Sequence, residues 1–392
     1  MMRPGIVLSL MLTLLCTAVG ESWAQTSEAT SPATAEQFVA AGNKFALAKQ
    51  YDQAVEAYRQ ALKLKPDLAA AHHGLGSVYV NLGRNAEAIE HLRAAARLDP
   101  ENPIAHLNLG ISLANLRRGE EALSELNEAK RLSPQDARVY NEIGNALHNV
   151  FGRFEEALAA YKEARRLNPN APAVHHNIGL MLTRLGRGAE AITPFEEALR
   201  LKPDYQNARY LLSNAYVRAG RYEEAVDSWT KFLQLRPRGR DALQNRAWTL
   251  MYLGGHGEAA AADARQFLEV AGWRDEASPF MILIAHLGYR QAGLAAEAQK
   301  ALQDAEKNCD TVAWPYPVIK YLKGEISSEE LLREANDTGK KTEARTYIGM
   351  DLLLRGMGAE AREHFAWVKE YGSNRFLEHP LAVAELNRLG ER

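Results

Sequence analysis

The residues most suggestive of chemistry are the neighbouring imidazoles His72-His73 and His175-His176. On a helix, adjacent side chains point about 100° apart and cannot close on one ion. Each pair therefore reads as one half-buried histidine, His72 or His175, followed by one that faces outward, His73 or His176. Gly74-Leu75-Gly76 lacks the Gly-Lys-Ser/Thr ending of a phosphate-cradling loop, and neither His-Glu-x-x-His nor Gly-x-Ser-x-Gly occurs. Glu120-Glu121, Glu155-Glu156 and Glu223-Glu224 recur at one place in successive segments. Acidic side chains suit the positive end of a helix, whereas catalytic carboxylates would stand alone. The chain reads as non-catalytic, with no metal site and no cofactor.

What positions these residues is a repeat. Gly42, Gly76, Gly110 and Gly144 are spaced evenly, and Gly179 follows one residue late; Ala54, Ala88, Ala122, Ala157, Ala191, Ala225 and Ala259 keep the same beat, as do Pro66, Pro100, Pro134, Pro169, Pro203 and Pro237. Small residues let two helices approach closely, and proline, which has no amide hydrogen, ends the second helix. Larger apolar residues recur between them, such as Phe38, Phe45 and Tyr58, or Ile178, Leu182 and Phe195. One hairpin cannot bury these alone, so neighbours must stack.

Those small, aromatic and proline positions resemble the tetratricopeptide repeat (TPR) family, which implies an all-α, α-α superhelical solenoid of helical hairpins. Six units fit over 35–239, and 342–375, with Gly349, Leu352, Ala361 and Phe365 in place, begins a C-terminal segment of 342–392. Between 240 and 341 the pattern decays: Arg246, Asp263 and Gln266 fall at nominal core positions, and His286 replaces a small residue. From Trp314-Pro315 through Tyr321, Leu331 and Gly349 the chain is similar to the C-terminal part of some bacterial periplasmic TPR proteins, which include adaptors. Ser327 with Glu330 reads as a capping box.

The resemblance further implies that first helices line a concave groove binding protein or peptide partners. Carrying its register over puts Asn108, Asn141, Asn145, His148, Asn177, Arg184, Tyr210, Asn214, Arg218 and Asn245 on that face, with Asn43, His73, Asn115, Asn149, His176, Asn207 and Gln244 beside them. An amide side chain carries an acceptor and two donors and suits an extended backbone, and these side chains are expected to be exposed. Trp248 falls at a groove position, either as an anchor or buried under the decayed repeat. Phe151, at a one-residue insertion that should lengthen the turn beside Gly152, is expected to fold back on the core.

Lys and Arg number 47 against 49 Asp and Glu, too even a balance for a nucleic-acid partner. Residues 1–24 read as a signal peptide, with Arg3 as a basic start, an apolar run over 6–15 shorter than a membrane span, and Ser22-Trp23-Ala24 as a cleavage site. Export to the periplasm or beyond follows, with no membrane span after cleavage. Leu15 before Cys16 disfavours lipid attachment; 25–34 reads as a flexible tether, and Cys309 is left as a lone thiol. A cell-wall glycan module and an enzyme hidden in 240–341 are the rival readings.

Overall fold

The computed structural model describes residues 33–390, so the leader at 1–24 and residues 25–32 of the tether lie outside the described residues. Among the described residues there are 21 α-helices and no strand, an all-α helical solenoid. A first compact unit ends at Arg153. It contains Ala35–Leu47 (α1), Tyr51–Leu64 (α2), Ala69–Asn81 (α3), Asn85–Leu98 (α4), Pro103–Asn115 (α5), Gly119–Leu132 (α6) and Ala137–Ala146 (α7).

A second compact unit begins at Phe154. It opens with Phe154–Leu167 (α8), Pro172–Arg184 (α9), Gly188–Leu201 (α10), Gln206–Arg218 (α11) and Tyr222–Leu235 (α12). Arg240–Leu253 (α13), Gly257–Ala271 (α14), Ser278–Gln291 (α15) and Ala295–Asn308 (α16) continue it as further hairpins. Tyr316–Lys323 (α17), Ser328–Glu334 (α18), Thr338–Leu354 (α19), Gly358–Tyr371 (α20) and Glu378–Gly390 (α21) complete it.

Small residues do what their spacing implies. A Cβ on Gly76 would lie 2.6 Å from Leu92, and one on Gly349 2.5 Å from the Phe365 ring. Ala54, Ala88 and Ala122 in the first unit, and Ala157, Ala191 and Ala225 in the second, are fully buried. Ala191→Leu, which forces an isobutyl group into this contact, should cost about 1 to 3 kcal/mol. A thermal melt coinciding with that of the unaltered chain would show the register to be wrong.

The six prolines are received in a way their spacing does not reveal. Each carbonyl accepts a hydrogen bond from a side chain, in five cases at the fourth position of the following first helix. In the first unit, His72 reaches Pro66 (2.9 Å), His106 reaches Pro100 (3.1 Å) and Tyr140 reaches Pro134 (3.1 Å). In the second, His175 reaches Pro169 (2.7 Å), Arg209 reaches Pro203 (2.7 Å), and Gln266 takes Pro237 (3.0 Å). Each proline lies two residues past its helix, in the turn, and these side chains supply its carbonyl with a donor. The ion-like look of His72 and His175 thus has a structural origin. The acidic pairs have one as well: Arg118 binds Glu121 (2.7 Å) and Arg221 binds Glu224 at the starts of their helices.

Two expectations about register are corrected. The column does not pass through Ala259, which is exposed, but through Ala260, which is fully buried. The cause is α13, 14 residues long where α11 has 13. The insertion near Phe151 does not lengthen the turn; α7 absorbs it as a single π-turn, Leu147–Phe151. The Phe151 ring folds back as expected, against Gly119.

Beyond residue 240 the second unit closes on itself. Helix α15 is buried on nearly every side, from Met281 to Tyr289, as a helix apolar all round must be. Helix α21 returns to α13: the Tyr252 hydroxyl donates to the carbonyl of Leu377 (3.0 Å), and Arg388 donates to that of Tyr252 (2.7 Å). The buried ionised groups meet partners, while the buried Trp248 Nε1 and His286 Nε2 have no hydrogen-bond partner among the described residues. Arg246 grips Asp263, Arg290 meets Asp351 (2.6 Å), and the Tyr347 hydroxyl donates to Glu378 (3.0 Å). The decayed pattern is that of a core. Positions that would face an open groove instead face α21 and its neighbours.

Candidate functional site

In the first unit the Asn108 amide donates to Ser77 of the preceding hairpin (2.9 Å), and Asn115 to Asn85 (3.2 Å). Asn141 and Asn145, one helical turn apart on α7, both donate to the carboxylate of Glu142, each at 2.9 Å. His148 lies within the π-turn and is half-buried. Glu142 was not among the expected site residues, because an acid one step from an asparagine has no periodicity to mark it. It nevertheless orients two of them.

In the second unit the Asn245 amide reaches the Tyr210 hydroxyl (3.4 Å), joining α13 to α11. Asn177 and Asn214 are half-buried on α9 and α11. Arg184 and Arg218, at the ends of those helices, are exposed and hold no ion pair among the described residues. The expectation of exposed asparagines holds for Asn43, Asn115, Asn149 and Asn207 and is corrected for Asn108, Asn141, Asn145, Asn177, Asn214 and Asn245, which are half-buried. First helices pack side by side, so an amide on this face touches its neighbour as well as solvent.

One more residue departs from expectation, and Trp248 takes the buried one of its two readings. His176 does not face open solvent; it is nine-tenths buried, with the Tyr205 ring 4.9 Å away and that of Phe195 5.9 Å away. Burial pushes its imidazole below the ordinary histidine range, and does the same for His73, so neutral rings are favoured. Trp248 is buried rather than an open anchor, 2% exposed beside Tyr252.

His176, Tyr210, Leu211 and Phe232 wall a cavity of about 540 Å³, with Arg236 and Arg240 at its rim. Tyr210 is set edge-on to Trp229 (5.1 Å) and Phe232 (5.8 Å), which fixes the aromatic wall. Register reasoning found Tyr210 and His176 but missed Phe232, Arg236 and Arg240, which lie at the end of one second helix and the start of the next first helix. The basic run Arg236-Pro237-Arg238-Gly239-Arg240 was the available signal.

Among known proteins, the family model described as the cilia and flagella-associated protein 70 C-terminal domain matches residues 9–248, more than half of the 392. The structure is similar to that of YrrB, a TPR protein with an unusual peptide-binding site (26% identity, 45% of this chain and 90% of that one, TM-score 0.39). It is also similar to TTC0263, a thermophilic TPR protein of Thermus thermophilus (22% identity, 47% and 100%, TM-score 0.40), and to MamA of Desulfovibrio magneticus RS-1 (20% identity, 44% and 96%, TM-score 0.40). No curated protein matches. Because the proline column and the alanine column from Ala54 to Ala225 fall within the matched residues and occupy the hairpin contacts that define the repeat, this chain belongs to the TPR family represented by the cilia and flagella-associated protein 70 C-terminal domain, a fold of protein-interaction scaffolds.

Proposed function

We propose that this protein is an exported, non-catalytic scaffold that holds polypeptide partners against the face of its first helices. The observation that carries the reading is the make-up of that face in the second unit: amides at Asn177, Asn214 and Asn245, exposed arginines at Arg184 and Arg218 with no ion pair among the described residues, and a cavity walled by rings. Amides serve any peptide backbone, and preformed aromatic pockets hold anchoring side chains. Ionisable groups buried in the second unit support a non-catalytic role, since Arg246–Asp263 and Arg290–Asp351 brace helices instead of meeting in a cleft. Among the described residues no helix is long and apolar enough to cross a membrane. Export rests on the leader pattern, and the mass of the mature N-terminus tests it: cleavage after Ala24 is expected, and an intact Met1 would exclude it.

The partner-binding reading is tested by recovering partners from the envelope fraction of the source cell. A chain with Asn141, Asn145, Asn177 and Asn214 all changed to Ala is compared with one changed on second helices at Glu90 and Arg93. At about 0.5 to 1.5 kcal/mol per net hydrogen bond, the quadruple change should weaken binding about 30-fold or more. A small drop in melting temperature accompanies it, because Asn141 and Asn145 also hold Glu142. Loss of binding in the Glu90 and Arg93 variant alone would place the partner elsewhere.

A further inference from the structure

We infer that the cavity of about 540 Å³ beside Tyr210 is the anchor site for an acidic peptide segment carrying one aromatic side chain. The inference rests on the peptide-binding reading above and adds which peptides are taken. The cavity's size suits one large side chain together with part of the adjoining backbone, within the range of small-ligand pockets. Its walls are preordered. Tyr210 is held edge-on by Trp229 and Phe232 and tied through its hydroxyl to Asn245, so an entering ring meets surfaces that lose little freedom on contact. His176, nine-tenths buried in the same wall, has an Nδ1 with no hydrogen-bond partner among the described residues. A buried polar atom in that state is costly to leave unmatched, and a polar group on the ligand or a trapped water would relieve it.

Charge at the rim selects the flanks of the segment. Arg240 is engaged by Asp275 (3.1 Å), with the Phe267 ring beneath its guanidinium (5.8 Å), and is thereby held in place. Asp241 sits on the same rim and opposes it. Arg236 is exposed and has no carboxylate partner among the described residues, so its charge is available to a ligand. A carboxylate flanking the anchoring ring would complete a planar, bidentate pair there. The same ring-and-arginine chemistry could receive a nucleobase and its phosphate. Arg240 is matched by Asp275 (3.1 Å) and Asp241 (3.8 Å), which leaves Arg236 as the one uncommitted cation of the rim, enough for a single flanking carboxylate but short of the row of cations that holds a phosphate backbone, so the peptide is favoured.

The test uses the whole chain and fluorescence anisotropy with four labelled probes: Gly-Asp-Glu-Phe-Asp-Glu-Gly, the same peptide with Phe replaced by Ala, the same with every acid replaced by Lys, and a ten-residue oligothymidylate. The first should bind, and the second and third should bind at least about tenfold more weakly, as expected for loss of an anchor or of its charge complement. Arg236→Glu alters an exposed side chain and should weaken the first probe by about tenfold or more, while Glu90→Ala, an exposed second-helix position outside the cavity lining, should leave it unchanged. Equal affinity for all three peptides, or no response to Arg236→Glu, overturns the anchor while leaving the groove reading intact. Absence of peptide binding overturns the anchor, and the groove reading is then decided by partner recovery with the quadruple asparagine variant. Tightest binding to the oligothymidylate overturns it in favour of nucleic acid.

Discussion

Arg246→Ala is expected to destabilise the second unit by about 3 to 5 kcal/mol, the usual consequence of removing one partner from a buried ion pair. Arg246 donates through Nε (2.7 Å) and Nη2 (2.6 Å) to the two oxygens of Asp263, and through Nη1 to Thr230 (3.0 Å). The Asp263 side chain is only 5% exposed, so without the guanidinium its carboxylate is left in a poorly solvated place with no countercharge. Denaturant unfolding at neutral pH measures the loss. Arg246→Met combined with Asp263→Leu should recover most of it, because an apolar pair of similar bulk avoids the desolvation cost. An unchanged midpoint in the single variant would show that water already screens the pair.

Glu378→Gln is expected to flatten the decline of stability with rising pH and to leave the chain more stable than the unaltered one at pH 8. Glu378 is buried at the start of α21, and its carboxylate accepts from the Tyr347 hydroxyl (3.0 Å). Burial pushes its pKa well above the ordinary carboxylate range, with the Glu343 charge adding to the rise. Burial raises Glu343 too, against the opposing hydrogen bond from the Trp314 indole; Asp337 reinforces that rise and Lys340 opposes it. A folded pKa above the unfolded one means that the folded state binds the proton more tightly. Stability is then fullest below the ordinary carboxylate pKa of about 4.3 and falls as pH climbs from there through neutrality. The expected loss is on the order of 2 kcal/mol or more by pH 8, since each tenfold difference in proton affinity between the folded and unfolded chain is worth about 1.4 kcal/mol. Glutamine keeps an oxygen for Tyr347 and carries no charge to desolvate. Identical pH slopes for the two chains would overturn the assignment.

These two residues also mark what could be read from the sequence and what could not. Over 35–239 the register was legible because Gly, Ala and Pro each occupy a contact that tolerates few alternatives: Ala191 has no room for a larger side chain, and Pro203 ends a helix. Between 240 and 341 that same register misleads, whereas Gly349, Ala361 and Phe365 resume it. Arg246 and Asp263 look like polar intruders, but each is the other's partner, a relation that spacing within one helix cannot show. Trp248 occupies a groove position and is buried, because the surface it faces is covered. On the binding face, the expected residue types were found but not their mutual hydrogen bonds. The bond from Asn108 to Ser77 joins residues 31 apart, and the cavity beside Tyr210 needs side chains from several helices. Pairwise geometry across hairpins has no trace in a column of one residue type.

The return of α21 onto α13 sets an order of events in folding. Hairpins that touch only their neighbours gather through contacts local in sequence and can nucleate anywhere along the stack. The contacts of Tyr252 with Leu377 and of Arg388 with Tyr252 join residues 125 and 136 apart, and closing so long a span demands more chain entropy before any contact is gained. Closure is therefore the late, slow step. Until it occurs, the apolar face of α13 that α21 covers stands open and exposed to aggregation.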